Sequence, residues 1–218
     1  MARNIERDER EAARRKLKLI QAGFELFSSQ GIDNVSMQSV ADKAGVGPAT
    51  MYNYYKTKAN LVVAISGYIW KSVWDEMLMN VDMEDMMKMD AYQLIAQYAD
   101  MIIHIYKTRP EILRFSGNYK TYIVREHVEK NQLDEHLSVL EPIGKLFHLK
   151  YEQAKTDHCI TTEIPEQEMF TTITLTMLGM AERYAQGIVW ADNQNPDHIK
   201  ELKYTKDMIL LWVKGGKQ

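Results

Sequence analysis

Apolar residues recur every three or four positions through most of the chain, which is the spacing of one face of an α-helix. Glycine and proline, the residues that most often interrupt helices, number only 11 and 5 among 218 residues. Near the N-terminus, Leu17, Ile20, Phe24 and Phe27 form one such stripe, and Gly31 follows it as a helix end. The pattern predicts an all-α fold whose first helix covers about residues 8–30.

Two short helices are expected next, because residues typical of helix ends follow in close succession. Ser36 suits the N-cap of a helix that continues to about Ala44 and ends at Gly45. Gly47 and Pro48 then suit the cap and first position of another short helix.

Longer helices follow. The last of them is expected to begin at Asn195, Pro196 and Asp197, which supply a cap, a proline in the first turn and an acidic residue. The pattern predicts helices over about 58–78, 91–107, 111–130 (with Gly117 as a candidate break), 132–154, 165–190 and 195–213, and a loop over 80–90.

The segment from Ser36 to Lys58 carries the functional signal. Its two short helices are separated by three residues, and small apolar side chains are spaced to pack them at a steep angle: Val40, Ala41, Ala44, Val46 and Met51. This is the pattern of a helix-turn-helix. The second helix offers short or aromatic hydrogen-bonding groups and no carboxylate, which suits the major groove of DNA.

The segment from Arg15 to Leu61 resembles the DNA-binding domain of the tetracycline-repressor (TetR) family. The matching residues fall at the family's spacing without a gap: Ala22, Phe24, Phe27, Gly31, Ser36, Ala41, Ala44, Gly45, Val46, Thr50, Met51, Tyr52, Asn53, Tyr54, Tyr55, Lys58 and Leu61. The sequence departs from the family at Gly47, where many members have Ser, and at Ala49, where many have Gly.

The resemblance implies an N-terminal three-helix domain, residues 1–62, that binds double-stranded DNA. Ser36, Tyr52 and Lys58 would contact phosphate, and Pro48 and Ala49 would face base edges. Thr50, Asn53 and Tyr54 would lie along the recognition helix, and Gly47 would cap it. The alternative for Tyr52, and more strongly for Tyr55, is an aromatic side chain in the core.

The net charge supports DNA binding only when the N-terminal 60 residues are counted separately from the rest of the chain. The net charge of −3 is unusual for a nucleic-acid-binding protein. Residues 1–60, however, carry ten basic and seven acidic residues, whereas residues 61–218 carry seventeen and twenty-three. The basic residues of the first helix are mixed with acids, which is typical of a solvated helix face; an arm in the minor groove of DNA is the alternative.

By the same resemblance, residues 63–218 form a larger helical domain that binds an effector and dimerises. Two apolar stripes near the C-terminus predict a homodimer through the last two helices. They are Met169, Ile173, Met177, Met180 and Tyr184 on the first, and Ile199, Leu202, Met208, Ile209, Trp212 and Val213 on the second. Packing inside one subunit is the alternative for part of them.

Candidate effector-binding residues are aromatic and methionine side chains with scattered polar groups, since small-molecule sites are mostly apolar with few polar anchors. They are Tyr98, Met101, His104, Tyr119, Tyr122, Phe147, Met177 and Tyr184. His148 is a further candidate, and surface or core positions are the alternative for both histidines.

The sequence therefore predicts a ligand-responsive, dimeric repressor that binds a palindromic operator and is released by a small, partly apolar effector. A regulator controlled by a protein partner, or by no ligand, is the alternative. A helical enzyme or carrier is disfavoured, because the chain has no catalytic, phosphate-binding or metal-ligand motif. We expect no cofactor and no metal. A single cysteine, Cys159, and the lack of a secretory signal or long apolar run predict a cytoplasmic protein.

Overall fold

The computed structural model describes residues 5–80, 83–188 and 197–215, and the described residues contain helices and no strand. The helices are α1 (Ile5–Gln30), α2 (Met37–Ala44), α3 (Pro48–Tyr54), α4 (Lys58–Asn80), α5 (Met83–Lys88), α6 (Ala91–Thr108), α7 (Pro110–Arg125), α8 (Asp134–Asp157), α9 (Glu166–Ala185) and α10 (His198–Val213), with a 3₁₀ turn at Lys130–Gln132. The predicted all-α fold is confirmed.

Four details of the prediction were wrong. A short helix, α5, forms where a loop was expected over 80–90. α7 is continuous through Gly117, the candidate break, and ends at Arg125 instead of residue 130. α9 ends at Ala185 instead of residue 190. Asp197, rather than Asn195, caps α10 by accepting from the Lys200 amide at 3.0 Å; Asn195 and Pro196 lie outside the described residues.

The chain divides into two compact units. Unit 1 comprises Met1–Lys71 and Asn118–Val139, and unit 2 comprises Ser72–Gly117 and Leu140–Gln218. In unit 1, α1 packs on α2 and α2 packs on α3. Its core includes fully buried apolar side chains from α1, α2, α3 and α4: Leu19, Phe27, Val40, Ala41, Met51, Leu61 and Ile65.

In unit 1, α1 approaches α4 closely at Gly23. A Cβ atom at that position would lie 2.6 Å from Cδ1 of Ile65, so glycine leaves the space that the Ile65 side chain occupies. This close approach sets α1 against the first half of α4.

Unit 2 has its own core, in which α6, α9 and α10 pack against one another. Its apolar interior includes Ile95, Ile102, Ile112, Phe115, Met169, Met177, Leu202 and Val213. A polar pair also lies inside, because Ser116 donates to Oε1 of Glu182 at 2.7 Å and both side chains are buried. Among the described residues, no helix combines the length and the apolar character needed to cross a membrane.

Candidate nucleic-acid interface

Ser36 fixes the start of α2. Its side-chain oxygen accepts the Ser39 amide N–H at 3.0 Å and lies 2.8 Å from the Ser39 hydroxyl. At the other end of α2, Gly45 adopts a left-handed conformation with φ of 64° and closes the helix. Ser36 is itself exposed, so its hydroxyl proton can reach a phosphate while the oxygen serves as the cap.

α3 is a single short helix of seven residues that is anchored by one side chain. Met51 is completely buried, and Pro48 occupies the first turn after Gly47. The remaining predicted contact residues stay accessible: Gly47, Pro48, Ala49, Tyr52 and Asn53 are exposed, and Thr50 and Tyr54 are half-buried. All the predicted contact residues of this segment are therefore at least partly accessible.

Tyr52 and Tyr55, for which a core position is the alternative, differ in their exposure. The exposed fraction is 52% for Tyr52 but 8% for Tyr55. Nearby, Nζ of Lys16 lies 5.7 Å from the ring centroid of Tyr54, which is a cation–π distance. The surface of α3 thus combines aromatic and amide groups with a lysine from α1 and has no carboxylate of its own.

Lys58 opens α4, and its ammonium group is directed towards the turn between α1 and α2. Nζ donates to the backbone carbonyl of Asp33 at 3.4 Å and lies 5.9 Å and 6.0 Å from the ring centroids of Phe27 and Tyr122. Burial is the largest effect on this amine and lowers its pKa, while the nearby Asp33 carboxylate opposes that shift. Lys58 is therefore held at the edge of unit 1 instead of extending freely into solvent.

Two residues beside Lys58, Asp33 and Arg125, are not indicated by any sequence motif. Arg125, the last residue of α7, donates through two nitrogens to both carboxylate oxygens of Asp33, one of them at 2.6 Å. This guanidinium holds the pKa of the Asp33 carboxyl below its usual range. No local pattern could have revealed the pair, because 92 positions separate the two residues.

The candidate effector residues divide between the two units. Tyr119 and Tyr122 are buried in unit 1. The other six belong to unit 2: Met101, Phe147 and Met177 are buried, Tyr98 and Tyr184 are half-buried, and His104 is exposed.

Within unit 2, two of these six belong to separate aromatic groups. Phe147 packs against Phe170 with ring centroids 5.1 Å apart, whereas Tyr184 packs against His198 at 4.2 Å. Burial raises the pKa of Tyr98 to about 12.

One group of side chains among the described residues could hold a metal ion. Ligand atoms of His148, Glu152 and Glu166 lie within 4.8 Å of one another. Each of these groups already has a charged or hydrogen-bonding partner: Nδ1 of His148 lies 2.8 Å from Glu166, and Lys155 lies 2.6 Å from Glu152. Ion pairing accounts for the cluster, and the absence of a metal site stays a prediction.

The sequence model described as bacterial regulatory proteins, tetR family, matches residues 19–65. The chain is 37% identical over 49 residues to the HTH-type transcriptional regulator YvdT of Bacillus subtilis (strain 168), a match covering 22% of this chain and 25% of that protein. A regulator of Staphylococcus aureus (strain USA300) is 29% identical over 52 residues, covering 24% of this chain and 28% of that protein. The chain thus matches little more than a quarter of the length of these curated relatives.

Solved structures extend the similarity to the whole fold. A TetR family transcription regulator from Marinobacter aquaeolei VT8 superposes with a TM-score of 0.65 at 18% identity, covering 94% of this chain and 98% of that one. FadR from Bacillus subtilis, in complex with stearoyl-CoA, gives a TM-score of 0.59 at 13% identity, covering 90% and 98%. The N-terminal segment is thus similar to the tetR family of bacterial regulatory proteins, and the chain shares the fold of solved TetR family regulators.

Proposed function

We propose that the protein binds double-stranded DNA through α2 and α3 and regulates transcription as a homodimer. The observation that carries the proposal is the surface of α3, where four predicted contact residues and the cap residue Gly47 are exposed and none is acidic, while buried Met51 holds the helix in place. A rigid helix with hydrogen-bonding groups and no repulsive carboxylate suits a major groove lined by phosphates.

The roles of the contact residues divide by chemistry. Ser36, Tyr52 and Lys58 bind phosphate groups and fix the register of the protein on the duplex. Thr50 and Asn53 contact base edges. Pro48 and Ala49 provide apolar surface for thymine methyl groups. Gly47 and Tyr54 flank this surface, one as the cap of α3 and the other beside Lys16.

A second copy of this chain is the proposed partner of α9 and α10. The stripe predicted from sequence is largely used inside the subunit, since Met169, Met177 and Leu202 are completely buried. Two residues of the predicted stripe, Met208 and Trp212, are exposed, and so are the apolar side chains of Leu175, Tyr204 and Leu211. Tyr204, Met208 and Leu211 follow one another at helical spacing, which favours a helix-to-helix interface.

For unit 2 we propose a small, partly apolar effector that releases the DNA. FadR of Bacillus subtilis, which has this fold, was solved with stearoyl-CoA, and the buried Ser116–Glu182 pair gives unit 2 polar groups inside an apolar interior. Linkage requires that the effector bind the DNA-incompetent form more tightly and that DNA weaken effector binding by the same factor. Regulation by a protein partner is the alternative proposal.

An electrophoretic mobility shift on the DNA upstream of the protein's own gene tests the DNA-binding proposal. We expect a shifted band for the wild type and none for the double variant Tyr54→Ala, Lys58→Ala at the same concentration. Lys203→Ala, on an exposed part of α10, is the control for loss of a lysine. A double variant that binds as tightly as the wild type would overturn the assigned interface.

A further inference from the structure

Arg125 and Asp33 form a two-point contact within unit 1. The guanidinium meets both carboxylate oxygens, a geometry that fixes orientation as well as charge. Asp33 lies in the turn between α1 and α2, three residues before the Ser36 cap. The contact therefore ties the end of α7 to the turn that presents α2.

The same turn holds Lys58. The backbone carbonyl of Asp33 accepts from Nζ of Lys58, and the carboxylate of Asp33 accepts from Arg125. The ring of Tyr122 lies between the two cations, 6.0 Å from Lys58 Nζ and 5.6 Å from the Arg125 guanidinium carbon. Asp33 is thus an acidic residue that both cations share, and Arg125 takes both of its carboxylate oxygens. Glu126 is a second shared acid, since its Oε1 lies 3.3 Å from Nε of Arg125 and its charge also acts on Lys58.

This division of partners determines which cation remains available to DNA. With its carboxylate occupied by Arg125, Asp33 offers Lys58 only a carbonyl, and the lysine keeps its charge for a phosphate. Without Arg125, the carboxylate would be an unpaired negative charge beside Lys58 and near the phosphates. It would then pair with Lys58 and repel DNA.

We propose that Arg125 is a positioning residue of the DNA interface, which acts by neutralising Asp33 and holding the α1–α2 turn so that Lys58 and Ser36 can meet phosphate. The inference rests on the proposed DNA-binding function. It adds to the interface a residue that lies far along the chain from the helix-turn-helix.

The test compares Arg125→Ala, Arg125→Lys and Arg125→Ala with Asp33→Asn against the wild type, by fluorescence anisotropy with a labelled duplex from the upstream region. At about 0.1 M salt we expect Arg125→Ala to weaken binding about fivefold, and the difference to fall below about twofold at 0.5 M salt. Arg125→Lys keeps the charge but not the two-point contact, so its affinity for DNA should lie between those of the wild type and Arg125→Ala. Adding Asp33→Asn should recover most of the lost affinity, because it removes the unpaired carboxylate.

Arg109→Ala is the matched control. It removes the same charge and a cross-helix ion pair, in this case with Glu76 at 3.3 Å in unit 2, and should leave affinity unchanged. Thermal unfolding of every variant separates positioning from a purely structural role. If the role were purely structural, the loss of DNA affinity would parallel the loss of thermal stability, and Asp33→Asn would not restore the affinity.

The outcomes distinguish the two proposals. A wild type that binds DNA, with Arg125→Ala binding equally well at low salt, overturns the positioning role and leaves the DNA-binding function intact. A loss that is the same at both salt concentrations also overturns it. A wild type that binds neither this duplex nor random-sequence duplex overturns the DNA-binding function and this inference together.

Discussion

The hydroxyl of Ser66 on α4 lies 3.0 Å from Nδ1 of His136 in the first turn of α8, and 70 positions of sequence separate the two residues. Ser66 is completely buried. The ring of His136 also packs against Tyr119, with centroids 5.0 Å apart. Burial is the largest effect on this imidazole and, with the charge of Lys120, lowers the pKa of His136 to about 4. A neutral histidine therefore links two distant parts of unit 1.

This histidine should make unit 1 sensitive to acid. The unfolded chain takes up a proton near the ordinary histidine pKa of about 6.5, whereas the folded chain does so only near 4. The unfolded state then binds more protons throughout this window, so the free energy of unfolding falls as the pH falls from about 6.5 to 4. After allowance for partial exposure, the loss should be about 2 kcal/mol, measured by urea unfolding across this pH range.

His136→Gln is the control for that pH dependence. Glutamine can still hydrogen-bond to Ser66 but does not titrate, so the variant should lose less stability between pH 6.5 and 4 than the wild type. His148 shifts in the opposite direction, because its hydrogen bond with Glu166 raises its pKa, and it contributes equally to both proteins. An identical pH dependence of wild type and variant would contradict the role of His136.

The two classes of DNA contact should separate by their salt dependence. Lys58→Ala should weaken binding to all duplexes alike and reduce the slope of log affinity against log salt by about one per half-site. Asn53→Ala or Thr50→Ala should instead change the relative affinity for operator variants, with about 1–3 kcal/mol of discrimination lost at the base concerned. Anisotropy titrations at several salt concentrations measure both. If every variant shifts affinity without changing sequence preference, the assignment of base contacts is wrong.

The turn between α2 and α3 allows a matched comparison of two glycines. Gly45 has φ of 64° whereas Gly47 has φ of −63°, and a Cβ atom at either position would meet no atom within 4 Å. Gly45→Ala should therefore cost about 1 kcal/mol of stability through backbone strain alone. Gly47→Ala should be within about 0.5 kcal/mol of the wild type. Thermal unfolding checks this, and equal losses at both positions would show that the left-handed conformation of Gly45 is not the cause.

Local chemistry explains which elements could be predicted. The ends of α2 and α3 depend on Ser36, Gly45 and Pro48, residues whose preferences act within a few positions. The helix α5 depends on a distant group, because buried Lys150 donates to the carbonyl of Met87 at 2.5 Å from 63 positions away. Its six residues are too few for a clear periodic pattern.

Gly117 also shows that a local pattern can mispredict an element when a distant residue determines the structure. A glycine inside a helical pattern reads as a break, but α7 continues through it. The end of the Gln186 side chain occupies the space that a Cβ atom would take, so this glycine serves packing between α7 and the end of α9. The proposed DNA-contact residues follow from spacing along the sequence, whereas Arg125 and Asp33 come together only through the fold.

The exposed apolar face of α10 should determine the oligomeric state. Met208 and Leu211 have exposed fractions of 69% and 70%, and two glutamates introduced by Met208→Glu and Leu211→Glu would have to be buried without partners in a dimer. Because burying an unpaired carboxylate costs several kcal/mol, we expect the wild type to sediment as a dimer and this variant as a folded monomer. Lys203→Glu places a glutamate on the same helix, away from the apolar face, and should remain dimeric. Sedimentation velocity gives the mass, and circular dichroism checks folding; a dimeric double variant would place the interface elsewhere.

Since a monomer presents one recognition helix to a two-part operator, the variant should also bind the operator far more weakly than the wild type.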